Sequence, residues 1–149
     1  MRLTALTALT ALTALAAALA GAPLAAAAAD PSADVASTYA VRASVEPATL
    51  KAGATGTLRL AIEPVGPVHV DPKAPLKVTL TATPGLKLGQ SQLGRAEAKP
   101  AGQGVSFAAP VTAAAAGKQE VRAKLDFFVC TDQWCVKQVR ELTVPVDVR

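Results

Sequence analysis

Apolar and polar side chains alternate along most of the chain after Asp30, which is the pattern of β-strands with one buried face. The longest run places apolar residues at every second position from Val121 to Val129, and another covers Leu142 to Val148. Shorter runs with the same period begin at positions 39, 58, 68, 76, 86 and 105, and prolines or glycines separate them. No segment after Asp30 has the periodicity of an amphipathic helix.

These runs predict an all-β domain over residues 39–149. Seven to nine short strands, spaced about 8–12 residues apart, favour an immunoglobulin-like antiparallel β-sandwich, with a small barrel as the alternative. Pro145 occupies an outward-facing position of the last run. Because proline donates no backbone hydrogen bond, this strand is predicted to lie at a sheet edge or to contain a bulge there.

The first 29 residues have a different character and predict a secretory signal peptide. A positive start at Arg2 precedes an uncharged apolar run, and small residues lead to cleavage after Ala29, or alternatively after Ala22. An uncleaved transmembrane anchor is the other interpretation of the apolar run. With cleavage, the mature protein is periplasmic or secreted, is not stably inserted in a membrane, and begins with a flexible segment over residues 30–38.

Composition narrows the range of functions. The chain has 149 residues and a formal charge of +4, which falls to +3 when Arg2 is removed with the leader. Basic residues are scattered and are not interleaved with aromatics, so no nucleic-acid partner is expected. The motifs of serine hydrolases, zinc proteases and phosphate-binding loops do not occur in the sequence. No cofactor is therefore predicted.

The candidate chemistry lies in one segment, residues 127–135, which contains both cysteines and three of the five aromatic residues of the chain. A strand ends at Cys130, four residues form a hairpin loop, and Cys135 begins the returning strand. The two cysteines then face each other at a distance suited to a disulfide, which an oxidising compartment favours. The alternation that buries Val129 places Phe128 and Cys130 on the outer face, so the disulfide is predicted to be accessible.

The chemistry of the cysteine pair leaves three roles open: thiol–disulfide exchange, a structural disulfide that rigidifies the turn, and binding of a soft ion such as copper(I). The mature chain has no methionine and one histidine, His69, so no metal site is predicted and His69 is interpreted as a structural or surface residue. Phe128 and Trp134 are candidates for shielding or contacting the pair. Asp132 supplies turn chemistry and would disfavour a neighbouring thiolate.

Two segments resemble the N-terminal periplasmic domain of the thiol:disulfide interchange protein DsbD and the related disulfide bond corrector family. The first is the hairpin at residues 127–137, with both cysteines, which continues into the strand at 142–146. The second is residues 66–75, Gly-Pro-Val-His-Val-Asp-Pro-Lys-Ala-Pro, which is similar to the family's stretch before a long strand. The hairpin here is one residue shorter between the cysteines. Residues 94–104, where the family has an aromatic cap loop, contain no aromatic.

The resemblance implies an immunoglobulin-like sandwich whose redox pair, here Cys130 and Cys135, takes electrons from a membrane-embedded donor and passes them to periplasmic thioredoxin-like proteins. The predicted function is therefore an exported thiol–disulfide exchange module, and its classification as an enzyme, a protein-disulfide reductase or interchange component, is left open. The alternative is a non-enzymatic binding or adaptor domain with a structural disulfide.

Overall fold

A computed structural model describes residues 34–149, so the predicted signal peptide over residues 1–29 lies outside the described part. The described chain contains a 3₁₀ turn at Ala36–Thr38 and eleven strands. The strands are β1 (Tyr39–Glu46), β2 (Thr49–Leu50), β3 (Thr55–Pro64), β4 (His69–Val70), β5 (Lys77–Ala82), β6 (Leu86–Leu88), β7 (Gln92–Leu93), β8 (Lys99–Ala101), β9 (Gly104–Ala113), β10 (Gly117–Cys130) and β11 (Cys135–Val148). From Asp34 onward, the structure contains no helix long and apolar enough to cross a membrane.

The strands form two sheets that pack face to face. The first sheet has the order β1-β3-β9-β6, with β8 also paired to β9, and the second has the order β2-β11-β10-β5-β7, with β4 also paired to β10. The predicted all-β, immunoglobulin-like sandwich is confirmed. The structure has more strands than the seven to nine expected, because β2, β7 and β8 are only two or three residues long and too short to show an alternating pattern. The β2–β11 pair is parallel, whereas the other paired strands are antiparallel.

The core lies between the sheets and is built from the inward positions of the alternating runs. In β10, every second residue from Val121 to Val129 is at most 1% exposed, as the alternation predicts. Small side chains such as Ala109 and Ala123 fill inward positions of the two central strands. Few aromatics are therefore needed, and Phe127 is the largest fully buried side chain. The result is a core that packs mostly valine, leucine and alanine.

One buried polar contact joins the two sheets across the core. Gln138 of β11 is 2% exposed, and its Oε1 accepts a hydrogen bond of 2.7 Å from the hydroxyl of Tyr39 in β1. The Tyr39 ring packs edge-on against Phe127, with ring centres 5.2 Å apart, and the Arg140 guanidinium lies 5.1 Å from the Tyr39 ring centre. This contact fixes the first strand against the strand that begins at Cys135.

Side-chain burial marks the beginning of the packed domain, and strand pairing describes its last strand. Val35 is buried, so the packed part of the chain extends four residues before the predicted boundary at Tyr39. The outer edge of β11 pairs only with β2, and that pairing begins at Asp147. The outer side of β11 is therefore unpaired at Pro145, which agrees with the edge position predicted from its missing amide hydrogen.

Candidate functional site

The two cysteines close the hairpin between the two longest strands. They are opposed residues at the end of the β10–β11 ladder and are joined by a disulfide, with Cα atoms 4.1 Å apart. That separation is typical of an antiparallel pair that does not exchange backbone hydrogen bonds. In the connecting loop, the Thr131 amide donates to the Trp134 carbonyl at 2.8 Å, and the Gln133 amide donates to the Thr131 hydroxyl at 3.2 Å. The loop is thus held by Thr131, whereas the sequence assigned the turn chemistry to Asp132.

The two halves of the disulfide have different environments. Cys135 is exposed, but Cys130 is only 1% exposed, so the predicted accessibility of the disulfide holds for Cys135 and is wrong for Cys130. The alternation does place Cys130 on the outer face, since its neighbour Val129 points into the core. However, the short strand β4 pairs with the end of β10, and His69 lies opposite Cys130. The chain that follows His69 then covers the outer face of this cysteine.

The covering segment brings a carboxylate to the disulfide. An Asp71 carboxylate oxygen and the Sγ atoms of Cys130 and Cys135 all lie within 4.8 Å of one another. Asp71 Oδ1 accepts hydrogen bonds of 2.6 Å from the amides of Lys73 and Ala74. These two bonds stabilise the charged form and hold the pKa of Asp71 below its ordinary value.

Two basic side chains, His69 and Arg95, lie near this segment. His69 and Arg95 also lower the pKa of Asp71, by electrostatic attraction. One Arg95 nitrogen, Nη2, donates to the carbonyl oxygens of Asp71 and Ala74, at 2.7 and 2.6 Å. The Asp71 amide faces the Phe128 carbonyl at 3.4 Å. Arg95 therefore fastens residues 71–74 in position beside the disulfide.

The other three candidate residues, Phe128, Asp132 and Trp134, lie on the hairpin itself but do not form one cluster. Trp134 is 37% exposed and lines a shallow groove with Val35 and Val136. Phe128 is half-buried on the outer face, in a groove that it shares with Lys137 and other residues. Asp132 is exposed in the loop. It does not belong to the sulfur–carboxylate group described above.

Neither Asp71 nor Arg95 was among the site residues predicted from the sequence. Asp71 lies in the stretch 66–75 that carries the family resemblance, and its spacing from His69, two residues apart in a short extended stretch, puts both on one face of a strand. That pattern does not reveal which strand they pair with. The pairing of β4 with β10 joins segments about 60 residues apart, and it alone brings Asp71 to the cysteines.

Comparison with known proteins does not identify a family for this chain. No protein-family model and no curated protein matches this chain. Two structures of Escherichia coli α2-macroglobulin match with 22% and 21% identity and TM-scores of 0.47 and 0.48. The matches cover 73% and 75% of this chain, which spans only 6% and 17% of the respective macroglobulin chains. The CooA pilin subunit of enterotoxigenic E. coli matches with 10% identity and a TM-score of 0.31, over 75% of this chain and 99% of the pilin.

Proposed function

We propose that this protein is an exported thiol–disulfide exchange module in which Cys130 and Cys135 carry two electrons between partner proteins. The observation that carries the proposal is the asymmetry of the pair, with Cys135 exposed and Cys130 buried beside a carboxylate. A disulfide that serves only to rigidify a turn requires neither feature. The resemblance of residues 66–75 and 127–137 to the DsbD N-terminal domain supports the same function.

The asymmetry predicts the order of steps. A thiolate of a reduced partner attacks Sγ of the exposed Cys135, the S–S bond breaks, and Cys130 leaves as a thiolate that takes up a proton. The second thiol of the partner then attacks the mixed disulfide, and Cys135 leaves with its own proton. The partner ends as a disulfide and this chain as a dithiol, so two electrons and two protons have moved. Oxidation of the chain by another partner runs through the same steps in reverse.

In this mechanism, the negative charge of Asp71 slows the exchange. Its negative charge repels an approaching thiolate and disfavours Cys130 as a thiolate leaving group. At the separation of up to 4.8 Å, one charge in a watery dielectric changes such a rate by roughly fivefold. Asp71→Asn is therefore expected to speed reduction by a small dithiol about fivefold, measured under pseudo-first-order conditions. Asp132→Asn is the matched control, and an equal acceleration there would contradict the role of Asp71.

The partners follow from the resemblance and from the shape of the site. A membrane-embedded electron donor would reduce the pair, and periplasmic thioredoxin-like proteins would receive the electrons. The exposed Cys135 at the end of the sandwich is open to attack by a cysteine of such a partner. The proposed location is the periplasm or the exterior, because the disulfide has to re-form in an oxidising compartment.

The decisive experiment is the reduction potential of the Cys130–Cys135 pair, measured by equilibration with a thiol–disulfide buffer. A potential above about −300 mV is expected, because structural disulfides lie below that value. Trapping provides the second measurement. Cys130→Ala keeps the exposed cysteine and should accumulate mixed disulfides with thioredoxin-like proteins, whereas Cys135→Ala should accumulate few. A potential below −300 mV would end the proposal.

The alternative, a non-enzymatic binding domain, draws on the exposed groove lined by Trp134, Val136 and Val35. Under that alternative, a Cys130→Ala/Cys135→Ala variant retains partner binding and only loses stability. Trp134→Ala, in contrast, would abolish the binding without changing the reduction potential. Binding and potential measured on both variants therefore separate the two functions.

A further inference from the structure

We propose that the reduced form of this protein holds a divalent zinc ion between Cys130, Cys135 and Asp71. This inference shares one premise with the proposed function, namely that the pair is reducible, but it does not require electron relay. It departs from the expectation that no metal would bind. It rests on the positions of the three side chains, which come from two distant places in the sequence, the turn after β4 and the β10–β11 hairpin.

The first support is geometric. The two Sγ atoms and one Asp71 carboxylate oxygen already lie within 4.8 Å of one another in the oxidised protein. Zinc–thiolate bonds of about 2.3 Å at tetrahedral angles need sulfurs about 3.8 Å apart, and zinc–carboxylate bonds are about 2.0–2.2 Å long. Breaking the S–S bond frees the sulfurs to separate to that distance. The exposed Cys135 has room to rotate, and a water molecule completes the tetrahedron.

The second support is that the oxygen ligand is already oriented. Asp71 Oδ1 accepts two backbone hydrogen bonds, from Lys73 and Ala74, and Arg95 fixes the carbonyls on either side of this turn. Bonds of this kind, one layer beyond the ligands, hold a metal-binding carboxylate in one orientation. The Asp71 carboxylate is therefore already held in one orientation before a metal binds.

The third support is ligand chemistry, which selects the metal. Two thiolates attract soft and borderline ions, whereas a carboxylate oxygen is a poor ligand for copper(I). A mixed set of two sulfurs and one oxygen fits zinc better. Two thiolates and one carboxylate carry three negative charges, and zinc with the neighbouring Arg95 offsets them. The oxidised protein lacks both thiolates, so it keeps only the carboxylate and should not bind.

Zinc binding requires that the disulfide is first reduced by two electrons. A reductant, a dithiol in the cell or a phosphine with water in the test tube, supplies two electrons and two protons to the disulfide. Zinc then displaces the two thiol protons and forms two Zn–S bonds and one Zn–O bond. Bound zinc ties up both thiolates, so it holds the pair in the reduced state until the metal is removed.

The test compares the same full-length mature protein in two redox states. The protein is reduced with a phosphine, freed of it by gel filtration without oxygen, and titrated with Zn²⁺ alone against a colorimetric chelator. One zinc per chain is expected for the reduced protein and none for the oxidised protein. Cobalt(II) in place of zinc should give the absorption bands of a tetrahedral thiolate site. Absence of binding to the reduced protein would overturn the proposal.

The carboxylate is tested separately. Asp71→Asn should weaken zinc binding roughly tenfold or more, whereas Asp132→Asn, in the loop between the two cysteines, should leave it unchanged. Equal affinity in Asp71→Asn and the parent would remove Asp71 from the site. Zinc binding by a protein that fails to exchange electrons with a thioredoxin-like dithiol would leave the metal site intact and eliminate the relay. Electron exchange without zinc binding would eliminate the metal site alone.

Discussion

The hydrogen bond between Tyr39 and Gln138 provides a sharp test of how the sandwich is held together. Tyr39→Phe removes only the hydroxyl and leaves the ring packed against Phe127. The hydroxyl currently donates to Oε1 of Gln138, a residue that is 2% exposed and is the one buried polar residue in the described chain. Without Tyr39 as donor, this oxygen stays buried with no partner among the described residues. The perturbation is therefore an orphaned acceptor in an otherwise unchanged core.

The expected loss of unfolding free energy is that of leaving a buried polar group without a hydrogen-bond partner. Leaving such a group unpaired costs about 1–3 kcal/mol, so about 2 kcal/mol of unfolding free energy should be lost. For a domain of this size, that corresponds to a decrease in melting temperature of roughly 8 °C. The second variant, Tyr39→Phe with Gln138→Met, replaces both partners by apolar groups. Because no acceptor is then left unpaired, most of the loss should be recovered.

The assay is urea unfolding followed by circular dichroism, with thermal melts as the second measure. Parent, Tyr39→Phe, Gln138→Met and the double variant form a double-mutant cycle. The urea dependence of the unfolding free energy should stay constant, since the buried area barely changes. Two results would refute the reasoning: a loss below about 0.5 kcal/mol in Tyr39→Phe, or a double variant as unstable as Tyr39→Phe alone.

Three further predictions concern the disulfide and the titrating groups. Cys130→Ala with Cys135→Ala should lower the unfolding free energy by about 2 kcal/mol, because the closed ring contains six residues; complete unfolding at 25 °C in the absence of denaturant would contradict this. The pKa of Asp71 is lowered in the folded protein, so its stabilising contribution is present above about pH 4 and is lost as the pH falls through the folded pKa. Asp71→Asn should therefore flatten the acid side of the stability–pH curve, and an unchanged curve would rule out the contribution. Burial raises the pKa of Tyr39, so its contribution is complete below about pH 10 and is lost as the pH rises through the folded pKa. Tyr39→Phe should thus lose less stability than the parent between neutral pH and pH 11, and an equal loss in both proteins would contradict the argument.

Local sequence determined the strands and the hairpin. A period of two is the direct consequence of side chains that point alternately to the two faces of a strand, so the inward residues of β10 and β11 could be identified without a structure. The disulfide was equally local, because Cys130 and Cys135 are only five positions apart and a tight loop joins them. That β11 has no partner on its outer side at Pro145 agrees with the missing amide hydrogen of proline.

Tertiary structure decided everything that depends on pairing between distant segments. Gln138 was unremarkable in the sequence, and its burial became understandable only through Tyr39, 99 residues away. Cys130 has the outward parity that the alternation gave it, yet β4 and the Asp71 turn cover it. The physical reason is that alternation specifies which face a side chain occupies, whereas solvent access depends on what else packs on that face. The sequence alone thus determined where the sulfur chemistry lies, and the fold decided which sulfur is open and which carboxylate faces it.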